Sequence, residues 1–392
     1  MPLLLLAYLA FLAIALPDGL IGVSWPSIST SLGQPLGALG LVMPFAVAST
    51  MLSSTSTGAL LGRFGFGRIL AGSIALTAAA LLGQSLAPVF WVFILAVVLL
   101  AAGSGAVDTA LNAFAARQFD ARQINWVHAV YALGAAAGPV LFVLMATAGF
   151  SWRGTFASVA GALAVLAVVF TLTVRRWPAS PRPQPRPAGT RRTPVRAGLR
   201  LPAAAWWGVP VFATQAGVES GTALWAYVFL TQARAVPVAV AAAAVSGYWV
   251  ALLVGRVVLG SVAHRTGVRP VLVGCLAGMV GSAALLFLPG TAPFAGVVGM
   301  GLCAAPMFPL LTLSTIDRVG AALSDRVIGF QGAASAAGSA TFPALIGLLI
   351  GLFGAPVIAP SLLVLVLLNA GLFAWSTWRT LMHGRGTGPP DG

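Results

Sequence analysis

Lysine is absent from this chain, and acids are almost as scarce: seven Asp and Glu in 392 residues, with charged residues of every kind at 7%. Roughly a quarter of a soluble globular domain is charged, so that class is excluded. The two cysteines, Cys275 and Cys303, fall in apolar segments, where a free thiol behaves as a small buried hydrophobe. There is no Cys/His cluster with metal-ligand spacing, so no metal or other cofactor is expected. Also missing are a nucleophile–base arrangement, a His-Glu-x-x-His and a Gly-x-Ser-x-Gly. The glycine-rich stretches follow no strand and lack the Gly-Lys-Ser/Thr ending of a phosphate loop. An enzyme is not expected.

What the chain does have is hydrocarbon: 59% of its residues are hydrophobic and its mean hydropathy is +0.98. Apolar runs near the ~20 residues that cross a bilayer can be marked off at Leu3–Ile28, Gly37–Leu61, Ile69–Ser85, Val89–Phe114, Ile124–Ala148, Thr155–Val174, Ala204–Thr231, Val236–Val262, Val271–Leu288, Pro293–Ile316, Val327–Phe353 and Pro356–Thr377. They predict an all-α polytopic membrane protein of twelve spans. The first run has no basic n-region and no small-residue cleavage site, so a retained helix is expected and not a signal peptide.

All twenty-one basic residues are arginines. Nineteen fall in the loops after spans two, four, six, eight and ten, at the Arg256 end of span eight, or in the C-terminal tail, and only Arg153 and Arg234 lie on the other side. By the positive-inside rule both termini and the central loop are cytoplasmic, which accounts for the net charge of +14 without nucleic acid. Arg175 to Arg200 holds eight arginines, six prolines and no acid, a composition that predicts an extended, self-repelling linker. The expected organisation is a six-helix bundle over 1–174, a linker over 175–203, a second bundle over 204–378 and a tail over 379–392.

The two halves echo each other. Gly58-Ala-Leu-Leu-Gly62-Arg63-Phe-Gly65 recurs as Gly260-Ser-Val-Ala-His264-Arg265-Thr-Gly267 at an offset of 202. Asp18 and Glu219 are offset by 201, each preceding a tryptophan (Trp25, Trp225), and Gly134 to Pro139 matches Gly338 to Pro343 at 204. A duplicated unit places any site between the halves, near the midplane.

The candidate site residues are the polar groups at membrane depth. A carboxylate there costs at least ~2.5 kcal/mol, which makes it a functional-site hypothesis by default. Ser104, Asp108 and Asn112 share one strip of span four at i, i+4 spacing, a carboxylate and an amide suited to binding hydroxyls. Asp18 follows Pro17, which must cost its helix a hydrogen bond and kink it; a carboxyl group there suits a proton carrier. Glu219 is four residues after Gln215, on the same face, as a second-half proton group or a brace. His128, one turn before Tyr131, is either a coupling group or a structural histidine. Trp25, Trp225, Tyr248 and Trp249 stack on a solute or sit in an interfacial belt; depth favours Trp225 for the site, the belt is expected for the others, and Trp25 is kept with Trp225 among the candidate solute contacts. Gln331 is expected to line a cavity in a small-residue helix.

The paired Gly-x-x-x-x-Arg-x-Gly loops resemble the signature of the major facilitator superfamily, with Gly62 and His264 where an aspartate is usual before the arginine. The resemblance implies two pseudo-symmetric six-helix bundles, alternating access, gating arginines at Arg63 and Arg265, and a monomer. A closer resemblance, to the fucose-galactose-gluconate:proton symporter branch, rests on Asp18-Gly19 through Trp25-Pro26, Val107 to Asn112, His128 to Gly134, Gly217 to Glu219 with Trp225, and Ala305 to Pro309. It implies proton coupling and sugar binding at Asp18 and Asp108. The expected function is proton symport of a small sugar-like solute across a plasma (bacterial inner) membrane, with proton-driven export of apolar compounds and a non-transporting membrane sensor as rivals. Deletion of most of Ser180 to Val195 is predicted to leave ligand affinity unchanged in a binding titration; lost affinity would make the linker more than a tether.

Overall fold

The computed structural model describes residues 3–178 and 206–385. Ten helices among them are long and apolar enough to cross a membrane. One of these, Ala38–Leu86, has 49 residues and at 1.5 Å per residue would reach about 74 Å, more than twice the hydrocarbon thickness. It is two crossings, because Gly65 breaks it with φ 78° and ψ 167°, a conformation that only glycine adopts without strain. Val209–Val228 adds another crossing, made less apolar by Thr214, Gln215, Glu219 and Ser220. The protein is an all-α polytopic membrane protein.

In chain order the crossings are α1 (Leu3–Ser31), α2 (38–64), α3 (66–86), α4 (Phe90–Gln118), α5 (Ala121–Thr147), α6 (Trp152–Leu172), α7 (Val209–Val228), α8 (Val238–Thr266) and α9 (Val268–Leu285). Then follow α10, formed by Ala292–Ala304 and Met307–Val319 on either side of Ala305-Pro306, α11 (Ala321–Phe353) and α12 (Ile358–Arg385). Helix α1 runs through both Pro17 and Pro26. The start of the expected linker is folded: Val174–Arg176 form a 3-10 turn, and Trp177 is buried, stacked on Phe170 at 5.5 Å and edge-on to Phe114 at 4.9 Å. Arg256 lies inside α8, as its place within span eight implied, and the helix continues for ten residues beyond it, about 15 Å at helical rise. The rest of the linker and the end of the tail lie outside the described residues.

The duplicated motifs occupy equivalent places. Gly267 ends α8 with φ 93° as Gly65 ends α2. In the α1–α5 contact a Cβ added to Gly134 would meet the Leu12 carbonyl, and in the α7–α11 contact a Cβ added to Gly338 would meet that of Ala213. The two carbonyls are themselves 201 residues apart. Helix α2 is fastened to α4 by hydroxyls: Ser49 donates to Val98 O at 2.8 Å and Ser53 to Ala102 O at 2.6 Å, the hydrogen-bonded glue of membrane helices. Arg153 donates to Ser85 O at 2.6 Å and Arg234 to Leu286 O. Each guanidinium thereby satisfies a free carbonyl at the end of α3 or α9.

Helices α1 to α6 pack chiefly on one another, as do α7 to α12, and the halves meet through α1–α7, α2–α11 and α5–α8. Their close approaches lie toward the end of the molecule marked by the α1–α2 loop at Gly33. There Gly37 abuts the Gly347 backbone, Gly40 the Ala344 backbone and Gly22 the Leu224 carbonyl, while Ser246 donates to Ala136 O at 2.8 Å. The opposite end carries the Gly65 and Gly267 breaks. Substituting Gly134→Ala or Gly338→Ala is predicted to destabilise the protein by about 1–3 kcal/mol through overpacking, read as a lower thermal midpoint in detergent; unchanged midpoints would contradict the backbone contacts.

Candidate functional site

Between the halves lies a cavity of two lobes. The first, about 440 Å³, is lined by Asp18 of α1, Thr50 of α2, Gln84 of α3, Ser104 and Asp108 of α4, and His128 and Tyr131 of α5. The second, about 650 Å³, is lined by Gln215, Glu219 and Ser220 of α7, Trp249 of α8, Phe308 and Pro309 of α10, and Ser335 and Ser339 of α11. His128 and Arg256 belong to both lobes, so the lobes join where one half presents an imidazole and the other a guanidinium.

Local packing sets each group. Gly19 comes so near the Ala135 carbonyl that no side chain fits, and Gly138 lies against the same stretch of α1. Tyr131, one turn before Ala135, is thereby brought over Asp18, and its hydroxyl donates to Asp18 Oδ2. Asn112 Nδ2 donates to Asp108 Oδ1 at 3.0 Å, one turn along the same helix. Across the cavity Tyr248 donates to the Glu219 backbone carbonyl at 3.0 Å and pins α8 to α7. Two turns further along α8, Arg256 reaches Glu219 at 3.6 Å. Each acid is thus held by one partner: a phenol, an amide or a guanidinium.

Two buried amides lack a full set of partners. Gln84 Nε2 is unpaired although the residue is 1% exposed. Gln215 Oε1 accepts from Asn369 Nδ2 at 2.7 Å, while its Nε2 is unpaired. The indole N–H of Trp249 is likewise unpaired, and its ring packs edge-on to Tyr248 at 5.6 Å. All three residues belong to the cavity wall, and their donors have no protein partner there. The remaining wall of the first lobe is apolar, built from residues such as Leu39, Val42 and Val47 of α2 and Val97 and Leu100 of α4.

Of the residues singled out in the sequence, Asp18, Asp108, Glu219, Gln215, His128 and Tyr131 line this cavity, and Asn112 stands one turn beyond, on Asp108. The tryptophans invert the expectation. Trp25 and Trp225 are fully buried outside it, their indoles donating to Leu36 O at 2.6 Å and Pro343 O at 3.0 Å. Those carbonyls lie in the α1–α2 loop and on Pro343 of α11, so the indoles are packing devices. Trp249, expected in the belt, faces the cavity. Gln331 is also corrected: it is buried and its Oε1 accepts from Thr315 Oγ1 at 3.0 Å, tying α11 to α10 away from the lobes. Arg63 and Arg265 are exposed beside the Gly65 and Gly267 breaks and line neither lobe. The sequence reading missed Arg256, Gln84 and Thr50. Arg256 was legible, because it falls well inside its own apolar run.

A family model described as Major Facilitator Superfamily matches residues 7–343. No curated protein matches the chain. Among solved structures, the nucleoside transporter NupG, determined as a point mutant, aligns with a TM-score of 0.77 at 14% identity, covering 95% of this chain and 100% of that one. A bacterial homolog of the human lysosomal transporter Spinster, in an inward-facing and unoccupied conformation, aligns with 0.73 at 15% identity over 97% of each chain. At such identities the likeness is one of fold. The packing role of Trp25 predicts that Trp25→Phe, which leaves the Leu36 carbonyl without its donor, costs roughly 1–3 kcal/mol of stability. Transport per folded molecule should be unchanged, and lost transport at full stability would restore Trp25 to the site.

Proposed function

The chain belongs to the major facilitator superfamily, a secondary transporter working by alternating access rather than an enzyme, and from that premise we propose that it carries a small hydrogen-bonding solute in symport with protons. The observation that carries the reading is the facing pair of carboxyl groups, Asp18 under the Tyr131 hydroxyl and Asp108 under the Asn112 amide, in one cavity wall. A cavity holding two carboxylates resists closure, because shutting it strips water from charges that have no cationic partner on their own helices. Protons on Asp18 and Asp108 remove that cost, and bound solute replaces the remaining water. The halves can then rock, closing the Gly65 end and parting the Gly37–Gly347 contact at the Gly33 end. Loss of the protons on the far side resets the carrier.

With the arginine-rich loops in the cytoplasm, the closed Gly33 end is external, the conformation is inward-facing, and uptake runs inward across a plasma (bacterial inner) membrane through a monomer. The hydroxyl-binding groups, together with the stretches that resemble the fucose permease branch, favour a sugar-like solute. Its body meets the aliphatic wall of α2 and α4, so a solute with one polar and one apolar face fits best. That same wall favours a second reading, proton-driven export of an amphipathic compound. In this reading His128, which lines both lobes, relays between the halves, and Arg63 and Arg265 steady the Gly65 end when it shuts.

In proteoliposomes, a hexose, 6-deoxyhexose or polyol that is a substrate is predicted to draw protons in and alkalinise the outside. Asp18→Asn and Asp108→Asn should each abolish uphill accumulation while preserving the folded yield. Wild-type accumulation in either variant would remove that residue from coupling, and proton exchange driven by amphipathic dyes alone would establish export.

A further inference from the structure

The first lobe carries the two carboxyl groups that accept from Tyr131 and Asn112 and the unpaired Nε2 of Gln84. The Arg256 guanidinium stands where the lobes join and lines both, and the second lobe sets beside it Glu219, the unpaired Nε2 of Gln215 and the unpaired indole N–H of Trp249. Gln215 is 1% exposed, so its orphaned donor sits deep in the wall, where an unmade hydrogen bond costs about 1–3 kcal/mol. Among the described residues the anion set against this group is Glu219, and it holds Arg256 loosely. Their separation is 3.6 Å through one nitrogen, beyond the ~2.7–2.9 Å of a charge-assisted hydrogen bond. A guanidinium has five N–H donors, and most of those on Arg256 are left for another acceptor. Among the described residues it is the one arginine lining either lobe.

We infer that the second lobe is an anion subsite, in which the carboxylate of the transported solute docks on Arg256, Gln215 and Trp249 and displaces Glu219. The inference deepens the transport reading and rests on it: the solute is an organic acid of modest size, its carboxylate toward α7 and α8 and its body toward the first lobe. Glu219 then acts as a stand-in anion that keeps Arg256 paired when no solute is bound. A stand-in must be weaker than the ligand it yields to, as the long single contact is. The apolar wall of α2 and α4 receives whatever the carboxylate is attached to.

The test is a set of matched probes differing only in the anionic group: hexanoate against hexan-1-ol, benzoate against benzyl alcohol, and glucuronate against glucose. Their binding to the full-length protein in nanodiscs is measured calorimetrically, without a proton gradient. The expected result is that in at least one pair the carboxylate binds about 10- to 100-fold more tightly than the alcohol, the worth of a charge-assisted contact. Arg256→Gln should abolish that preference and Glu219→Gln should strengthen it several-fold, while Arg256→Lys, as a check on folding, should keep part of it. Equal binding of both members, binding of neither in every pair, or a preference that survives in folded Arg256→Gln would overturn the inference. Proton-coupled uptake of a neutral solute with no carboxylate preference would sink this inference and leave the transport reading standing; carboxylate binding without proton movement would do the reverse.

Discussion

A carboxylate surrounded by hydrocarbon needs a donor, a counter-ion or water, and this chain has placed three such groups near mid-helix in a bundle that is otherwise almost uncharged. Asp18 takes a phenol, Asp108 an amide and Glu219 a guanidinium. None is fully compensated, and all three face one cavity. Much of the architecture serves that arrangement. Helices α1 and α5 approach so closely at Gly19 and Gly138 that only backbone lies between them, and this contact presents Tyr131 to Asp18. Tyr248 pins α8 to α7, and Arg256 follows two turns on.

The two halves reuse one packing scheme for different chemistry. The α1–α5 contact and the α7–α11 contact are equivalent, with Gly134 and Gly338 pressed on carbonyls at matching positions. Duplication has therefore kept the scaffold while the side chains diverged: Asp18 is matched by Glu219, but the phenol that serves the first is replaced by a cation for the second. That asymmetry sets two carboxyl groups held by neutral donors on one side of the cavity and an acid facing a guanidinium on the other.

How much of this was legible in the sequence follows from the kind of signal each residue gives. The acids were found because a charge inside an apolar run has no cheap structural explanation. The repeat was found because Gly-x-x-x-x-Arg-x-Gly survives as a string, and its final glycine proved to be the residue that breaks the helix. Arg256 was passed over because the tally of arginines by side counted it with the cytoplasmic charges, although it lies inside an apolar run and lines the cavity. Trp25 and Trp225 were misread because an indole looks the same in sequence whether its N–H meets a solute or the carbonyls of Leu36 and Pro343. Gln84 gave no signal at all: a single amide in an alanine-rich run becomes informative only when its neighbours leave it unpaired.

The central claim is that neutralising Asp18 and Asp108 is what allows the cavity to shut. The direct measurement is the distance between spin labels at Arg68→Cys and Arg269→Cys, both exposed near the Gly65 end, in protein lacking Cys275 and Cys303. The account predicts that acidification in the presence of a transported solute shifts the distribution to shorter distances, and that the Asp18→Asn/Asp108→Asn double variant populates the short distance at every pH. A distribution that ignores both pH and the double substitution would contradict it.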